Sequence, residues 1–215
     1  MKIGFVGYGS MSKALAPRFR TAGHSVFLGG HNPDKAKAAA EEVNADGHGD
    51  TAAAVAFGEV VVLGTPHDKV FDAIDDAGGP STFAGRVVVD INNPVAGWST
   101  GDFANKTYDD GKSLAEAIAD KLPEAEVCKA FNCCQAKVWE MDPPIINGQR
   151  LVTFTAANGD KARQVAADLV KAVGSDHIDL GDLTKSRNLE AIASVEIQLL
   201  FSGMDPRSVI TLVRP

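Results

Sequence analysis

The sequence predicts an α/β chain with a doubly wound, mostly parallel sheet and a small C-terminal extension that ends in a long helix. Three observations predict it. The first six residues read as a short buried strand that runs into a glycine-tight turn and a helix, and continuous apolar runs such as Val60-Val61-Val62-Leu63 suit strands buried on both faces. Such runs also alternate with helical stretches along most of the chain, which implies right-handed crossovers and a Rossmann-type sheet. Ligands of such a sheet lie beyond the carboxyl ends of its strands.

The opening segment, Gly7-Tyr8-Gly9-Ser10-Met11-Ser12, has the form of a dinucleotide fingerprint with serine at the third glycine position. Gly7 permits the turn, Gly9 lets the backbone approach a pyrophosphate, and the helix from about residue 10 points unpaired N–H groups at that anion. Ser12 is small enough for the helix to lie close to the strand. The second strand, 25–29, ends in Gly30-His31-Asn32-Pro33-Asp34-Lys35, with no carboxylate at its tip for an NAD ribose. This favours NADP(H), with His31 and Asn32 as partners of the 2′-phosphate and Lys35 as its counter-charge. An imidazole there gives a looser, pH-dependent grip than an arginine would. Asp34 is the competing ribose partner, or else a cap for the next helix.

An alanine-rich helix over 33–45 and a short one near 51–56 lead to the strand 59–63, which Thr65-Pro66-His67 closes. A helix over 68–77, the strand 87–91 and the loop Asn92-Asn93-Pro94-Val95 follow. Residues 97–103, with Trp98 and Phe103, are irregular and read equally as a lid or a surface loop. A helix over 113–122 and a strand over 126–130 then end in Phe131-Asn132-Cys133. The clearest break in composition, Asp142-Pro143-Pro144-Ile145-Ile146-Asn147-Gly148, separates an expected dinucleotide-binding domain, 1–141, from a C-terminal α/β extension with the acceptor-site helix, 151–215. Beyond the break come a strand over 151–155, a helix over 160–173, a strand near 177–180 and an amphipathic helix over Ser186–Phe201. The broad apolar face of that last helix suits burial against a domain or a second copy, so a homodimer through it is expected.

Composition excludes several function classes. The net charge of −7, without a basic run, argues against nucleic-acid and anionic-membrane partners. No apolar stretch reaches the roughly 20 residues that span a bilayer. The N-terminus reads as a strand and not as a cleavable signal, so the cytoplasm is the expected compartment. Cys128, Cys133 and Cys134 lack C-x-x-C spacing and a nearby histidine, which argues against a metal site and favours small apolar residues at a strand end over a strained vicinal disulfide.

Together these strand-end motifs make the chain resemble the family of coenzyme F420-dependent NADP reductases, with the reductase domains of STEAP proteins and, more distantly, pyrroline-5-carboxylate reductases as kin. The residues that carry the resemblance are Gly7-Tyr8-Gly9-Ser10-Met11, Gly30-His31-Asn32-Pro33-Asp34-Lys35-Ala36, Thr65-Pro66-His67, Asp90-Ile91-Asn92-Asn93-Pro94, Lys129-Ala130-Phe131-Asn132, Asp179-Leu180-Gly181 and Ser186-Arg187-Asn188-Leu189-Glu190. The resemblance implies an NADP(H)-dependent oxidoreductase that passes hydride between nicotinamide and a small-molecule acceptor, a flavin or the deazaflavin F420, with no obligatory protein acid or base. Carried onto this sequence, it gives Gly7, Tyr8, Gly9, Ser10 and Met11 to the pyrophosphate. It gives Thr65, Pro66, His67, Asn93 and Pro94 to the nicotinamide, and Phe131, Asn132 and Glu190 to the acceptor.

Gly30-His31 stands where the family typically shows Ser-Arg, and Asn132, Ala191 and Ala193 stand at remodelled acceptor positions. His67 and Asn132 are the candidate catalytic groups. His67 also reads as a solvated helix-start residue, Glu190 as an ion-pair partner of Arg187, and Trp139 as core. An imine or small-carbonyl reductase on the same scaffold and a non-catalytic NADPH-sensing module are the alternatives.

Overall fold

A computed structural model describes residues 1–213. In chain order the elements are β1 (Lys2–Val6), α1 (Ser10–Thr21), β2 (Ser25–Gly29), α2 (Pro33–Glu42), β3 (Gly47–Gly49), α3 (Thr51–Phe57), β4 (Val60–Leu63), α4 (Val70–Asp76) and β5 (Val87–Asp90). A small hairpin follows, β6 (Val95–Ala96) with β7 (Ala104–Asn105), and then α5 (Leu114–Lys121), β8 (Glu126–Lys129) and α6 (Ala136–Trp139). The chain continues through the hairpin β9 (Ile145–Ile146) and β10 (Gln149–Arg150) to β11 (Val152–Ala157), α7 (Asp160–Ala172), β12 (Asp176–Asp179) and α8 (Ser186–Phe201).

Eight of the strands form one sheet in the order β12-β11-β8-β5-β4-β1-β2-β3. All neighbours pair parallel except β11 with β8, so the strands after the composition break continue the sheet but run against the rest. Val60 and Val62 pack into the core on one face of the sheet, and Val61 and Leu63 into the core on the other. That two-sided burial explains the unbroken apolar run. The strand order reverses at β1, which lies between β4 and β2, and this switch point opens a crevice at the carboxyl ends of β1 and β4.

Several local expectations shift. The edge strand β3 is additional, because Gly47-His48-Gly49 carries no apolar pattern to announce it. The segment after Pro66 begins as a 3₁₀ turn, His67–Lys69, before α4. The cap of α2 is Asn32, whose Oδ1 accepts from the Lys35 N–H at 3.0 Å, while Asp34 occupies the first turn. Asn147 and Gly148 both adopt left-handed φ, 52° and 77°, and turn β9 into β10.

Candidate functional site

The fingerprint turn is built as its residues require. Gly7 has φ 115°, and a Cβ there would overlap the Gly64 carbonyl that closes β4. Gly9 caps α1 with space around it, so the first amides of α1 face the crevice. Ser12 is fully buried, and a Cβ on Gly64 would come within 2.7 Å of its hydroxyl. A small residue is therefore needed at each of these two positions to bring α1 against β4.

The crevice is a cleft of about 920 Å³. Gly9, Ser10 and Met11 line it on one side, Gly64 through His67 on its floor, and Asn92 and Asn93 beyond. It therefore brings together the fingerprint turn, the Thr65-Pro66-His67 segment and the Asn92-Asn93 loop. The buried Thr65 hydroxyl has no hydrogen-bond partner in the protein. An open amide cradle, close-packed glycines and an unclaimed hydroxyl on the same wall fit a dinucleotide.

Tyr8, His31 and Lys35 lie on the rim beyond the turn. The Tyr8 ring stacks on the His31 imidazole with centroids 6.0 Å apart, and its hydroxyl lies 3.4 Å from His31 Nδ1. A Cβ on Gly30 would meet the Tyr8 ring at 2.8 Å, so glycine there lets the ring lie close to the end of β2. His31 and Lys35 are exposed at the N-terminus of α2, whereas the Asn32 oxygen is committed to the cap.

The residues expected to face an acceptor are elsewhere. Phe131 is 2% exposed, and its φ of 59° turns the ring inward against Phe19 and Trp139. Asn132 is buried; its Nδ2 donates to Asn93 Oδ1 at 2.9 Å and to the Leu189 carbonyl at 3.0 Å. Asn93 Nδ2 returns a bond to the Asn132 carbonyl at 2.8 Å, so the two amides brace the cleft wall and neither is free for catalysis. Pro94 is buried behind that wall. Glu190 is fully buried, and its partner is Lys129 at 2.8 Å, not Arg187, which pairs instead with Glu116.

Lys129 stood among the motif residues, but the network it makes behind the cleft was not foreseen. It is wholly buried, and its Nζ donates to Asp90 at 2.7 Å, to the Asn92 carbonyl at 2.6 Å and to Glu190 at 2.8 Å. Burial works against its charge, but Asp90 and Glu190 outweigh that and raise its pKa. Asp90 also accepts from the Asn92 N–H and side-chain amide, and Glu190 from the Leu114 and Ala115 N–H groups. This network fixes the Asn92-Asn93 loop against β8, α5 and α8.

Among the described residues, the ionisable groups that line the cleft are His67, Asp68 and Lys106. Burial lowers the His67 pKa; Asp68 opposes this, and Lys106 and Lys129 add to it. The imidazole is thus mainly neutral at pH 7. All three cysteines are free thiols, and burial pushes Cys133 up to about 12, which removes it as a nucleophile at neutral pH. Trp139 is core, 1% exposed. No helix among the described residues is long and apolar enough to cross a membrane.

Comparison with known proteins agrees with the resemblance drawn from the motifs. Residues 2–94 match the family model described as NADP oxidoreductase, coenzyme F420-dependent. The chain is 29% identical to the F420-dependent NADP reductase of Methanocaldococcus jannaschii over 213 residues, which cover 93% of this chain and 92% of that one. It is 26% identical over 196 residues to Metalloreductase STEAP3 of Rattus norvegicus, but spans only 36% of that protein's length. A crystal structure of a candidate F420-dependent NADP-reductase from Arthrobacter sp. FB24 superposes with a TM-score of 0.87 at 29% identity, over the full length of both chains.

Proposed function

From the premise that this chain is a relative of the F420-dependent NADP oxidoreductases, we propose that it is an NADP(H)-dependent reductase that exchanges hydride with a flavin or deazaflavin acceptor. The observation that carries this is the open amide cradle at Gly9 to Met11, continuous with a cleft large enough for a second ring system: about 920 Å³, against roughly 300–1,000 Å³ for ordinary ligand pockets. The cofactor supplies the two electrons as a hydride from its nicotinamide ring. The chain supplies the rest. Ser10 and Met11 amides hold the pyrophosphate, and His31 and Lys35 meet the 2′-phosphate. The Asn93-Asn132 brace and the Lys129 network keep the nicotinamide side of the cleft rigid. A mainly neutral His67 is placed to hydrogen-bond a carboxamide or a ring carbonyl, and no charged protein acid is required for direct hydride transfer.

In this reading 1–141 is the dinucleotide-binding part and 151–215 the extension that completes the acceptor side, in a cytoplasmic protein. Val195 and Leu199, 53% and 40% exposed, share the outward face of α8 and form the contact of a homodimer. NADPH oxidation followed in parallel with riboflavin, FMN, a deazaflavin and a cyclic imine tests the assignment. Turnover with the flavin or deazaflavin set is expected. Turnover with the imine alone would move the enzyme to another substrate class, and absence of saturable NADPH binding would remove the reading altogether.

A further inference from the structure

With Phe131, Asn132 and Glu190 buried, the acceptor side of the cleft falls to residues that lack any strand-end motif. The hairpin from β6 to β7 folds over the last turn of α8, where the Phe103 N–H donates to Gln198 Oε1 at 3.2 Å. Phe103 is largely buried between the two elements, with Val95 and Ile197 beneath it. On this base stand Trp98 and Phe201, 54% and 61% exposed, and both line the same cleft as Met11 and Pro66. Trp98 meets Phe103 at 5.2 Å and Phe201 at 5.7 Å, each at 75°, while Phe103 and Phe201 lie 4.7 Å apart. The three rings thus make a fixed corner.

The turn that presents Trp98 is specified by Gly97, which has φ 90° and no room for a Cβ against the Asp102 carbonyl. Phe201 lies one turn beyond Ile197 on the cleft side of α8, apart from the outward face of Val195 and Leu199. Two large aromatic surfaces left open over a cleft shed their hydration cost when an apolar partner covers them, and their position inside a cleft, next to an amide cradle, suits a flat ring as that partner.

We propose that Trp98 and Phe201 form the acceptor site, an aromatic wall that takes a planar, fused heteroaromatic ring facing the dinucleotide across the cleft. This rests on the NADP(H) reading above and relocates the acceptor from the strand ends to the hairpin and the last turn of α8. Stacking on such a wall is tolerant of ring substituents, because every fused heteroaromatic ring offers a π-face.

The test uses the whole protein saturated with NADP⁺, which cannot reduce the probe, and titrates riboflavin and FMN by their fluorescence. Wild-type protein is expected to bind and quench both, since an indole in van der Waals contact quenches an excited flavin. Trp98→Phe should keep affinity within about threefold, as one aromatic face replaces another, and lose most of the quenching. Trp98→Ala with Phe201→Ala should weaken flavin binding at least tenfold, about 1.4 kcal/mol, with NADP⁺ affinity and melting temperature retained. The inference is overturned if the double variant binds flavin like wild type, or if wild-type protein binds NADP⁺ but neither flavin. It is equally overturned if the double variant changes only the sedimentation coefficient, for then the rings serve a second copy of the chain. Failure to bind NADP⁺ at all would instead strike the underlying function.

Discussion

Replacing Lys129 by methionine keeps an unbranched side chain, one atom shorter, and deletes its charge in a cluster where Lys129, Asp90 and Glu190 are all fully buried. The wild-type ammonium makes three hydrogen bonds of 2.6–2.8 Å, two of them to carboxylates with no solvent exposure. Each charge-assisted bond is worth about 1.5–3 kcal/mol, and removing one partner of a buried ion pair costs about 3–5 kcal/mol because the remaining charge is uncompensated. The residual bonds to Asp90 from Asn92, and to Glu190 from Leu114 and Ala115, place the cost within that range and not above it. For a chain of this size, roughly 2–4 °C per kcal/mol translates the loss into about 6–20 °C of melting temperature.

The pH dependence has a definite sign. Burial already raises the Glu190 pKa against the pull of Lys129; without the lysine it rises further above its unfolded value. The variant's folded state then binds more protons than its unfolded state, so its deficit should be largest near pH 8 and shrink toward pH 5. Urea unfolding of both proteins at the two pH values measures this. A variant that melts within about 2 °C of wild type at both pH values would refute the claim that this cluster is a closed, charge-balanced network; ~2 °C is about 0.5–1 kcal/mol here.

Gly7→Ala should abolish saturable NADPH binding and lower the melting temperature, since the left-handed φ costs roughly 1–3 kcal/mol and the methyl group overlaps the Gly64 carbonyl; calorimetry and a thermal melt report both. Glu196 is buried with Oε1 unpartnered, and burial pushes its carboxyl up to about 7. Its folded pKa exceeds the ordinary value, so the wild type should lose up to about 3 kcal/mol as pH rises from 5 to 8. Glu196→Gln should be the more stable protein at pH 8 and lose that advantage near pH 5, as chemical unfolding would show. NADPH should bind at least roughly tenfold more tightly than NADH, about 1.4 kcal/mol. His31→Ala and Lys35→Ala should each narrow that gap in titration calorimetry, and an equal or reversed preference in the wild type would contradict the 2′-phosphate assignment.

What could be foreseen from the chain divides along physical lines. Local signals survived: the glycine-tight turn after β1, the apolar run of β4, and α8, whose 3.6-residue pattern matches Ser186–Phe201. The Asp90-Lys129-Glu190 cluster was hidden, because its members lie 39 and 61 residues from Lys129 and meet only through strand pairing and the return of α8. A signal was nevertheless present. Asp90 and Lys129 are charges at the ends of strands otherwise suited to full burial, and they face each other in the β5–β8 register. Phe131 and Asn132 follow a strand that ends at the cleft, but the positive φ of Phe131 reverses the chain inward, and nothing in residue type marks that reversal. Trp98 was visible as an exposed aromatic but could not be assigned, since its neighbour Phe201 is 103 positions away by residue number and belongs to another element.

The antiparallel join between β8 and β11 bears on how the cleft can vary. Its Gly9 and Thr65 side is carried by β1 and β4, which run the same way in the middle of the sheet. Its Trp98 and Phe201 side is carried by a small hairpin outside the eight-stranded sheet and by the helix that follows the reversed strand. Substitutions on the second side therefore leave the strand pairings beneath the first in place.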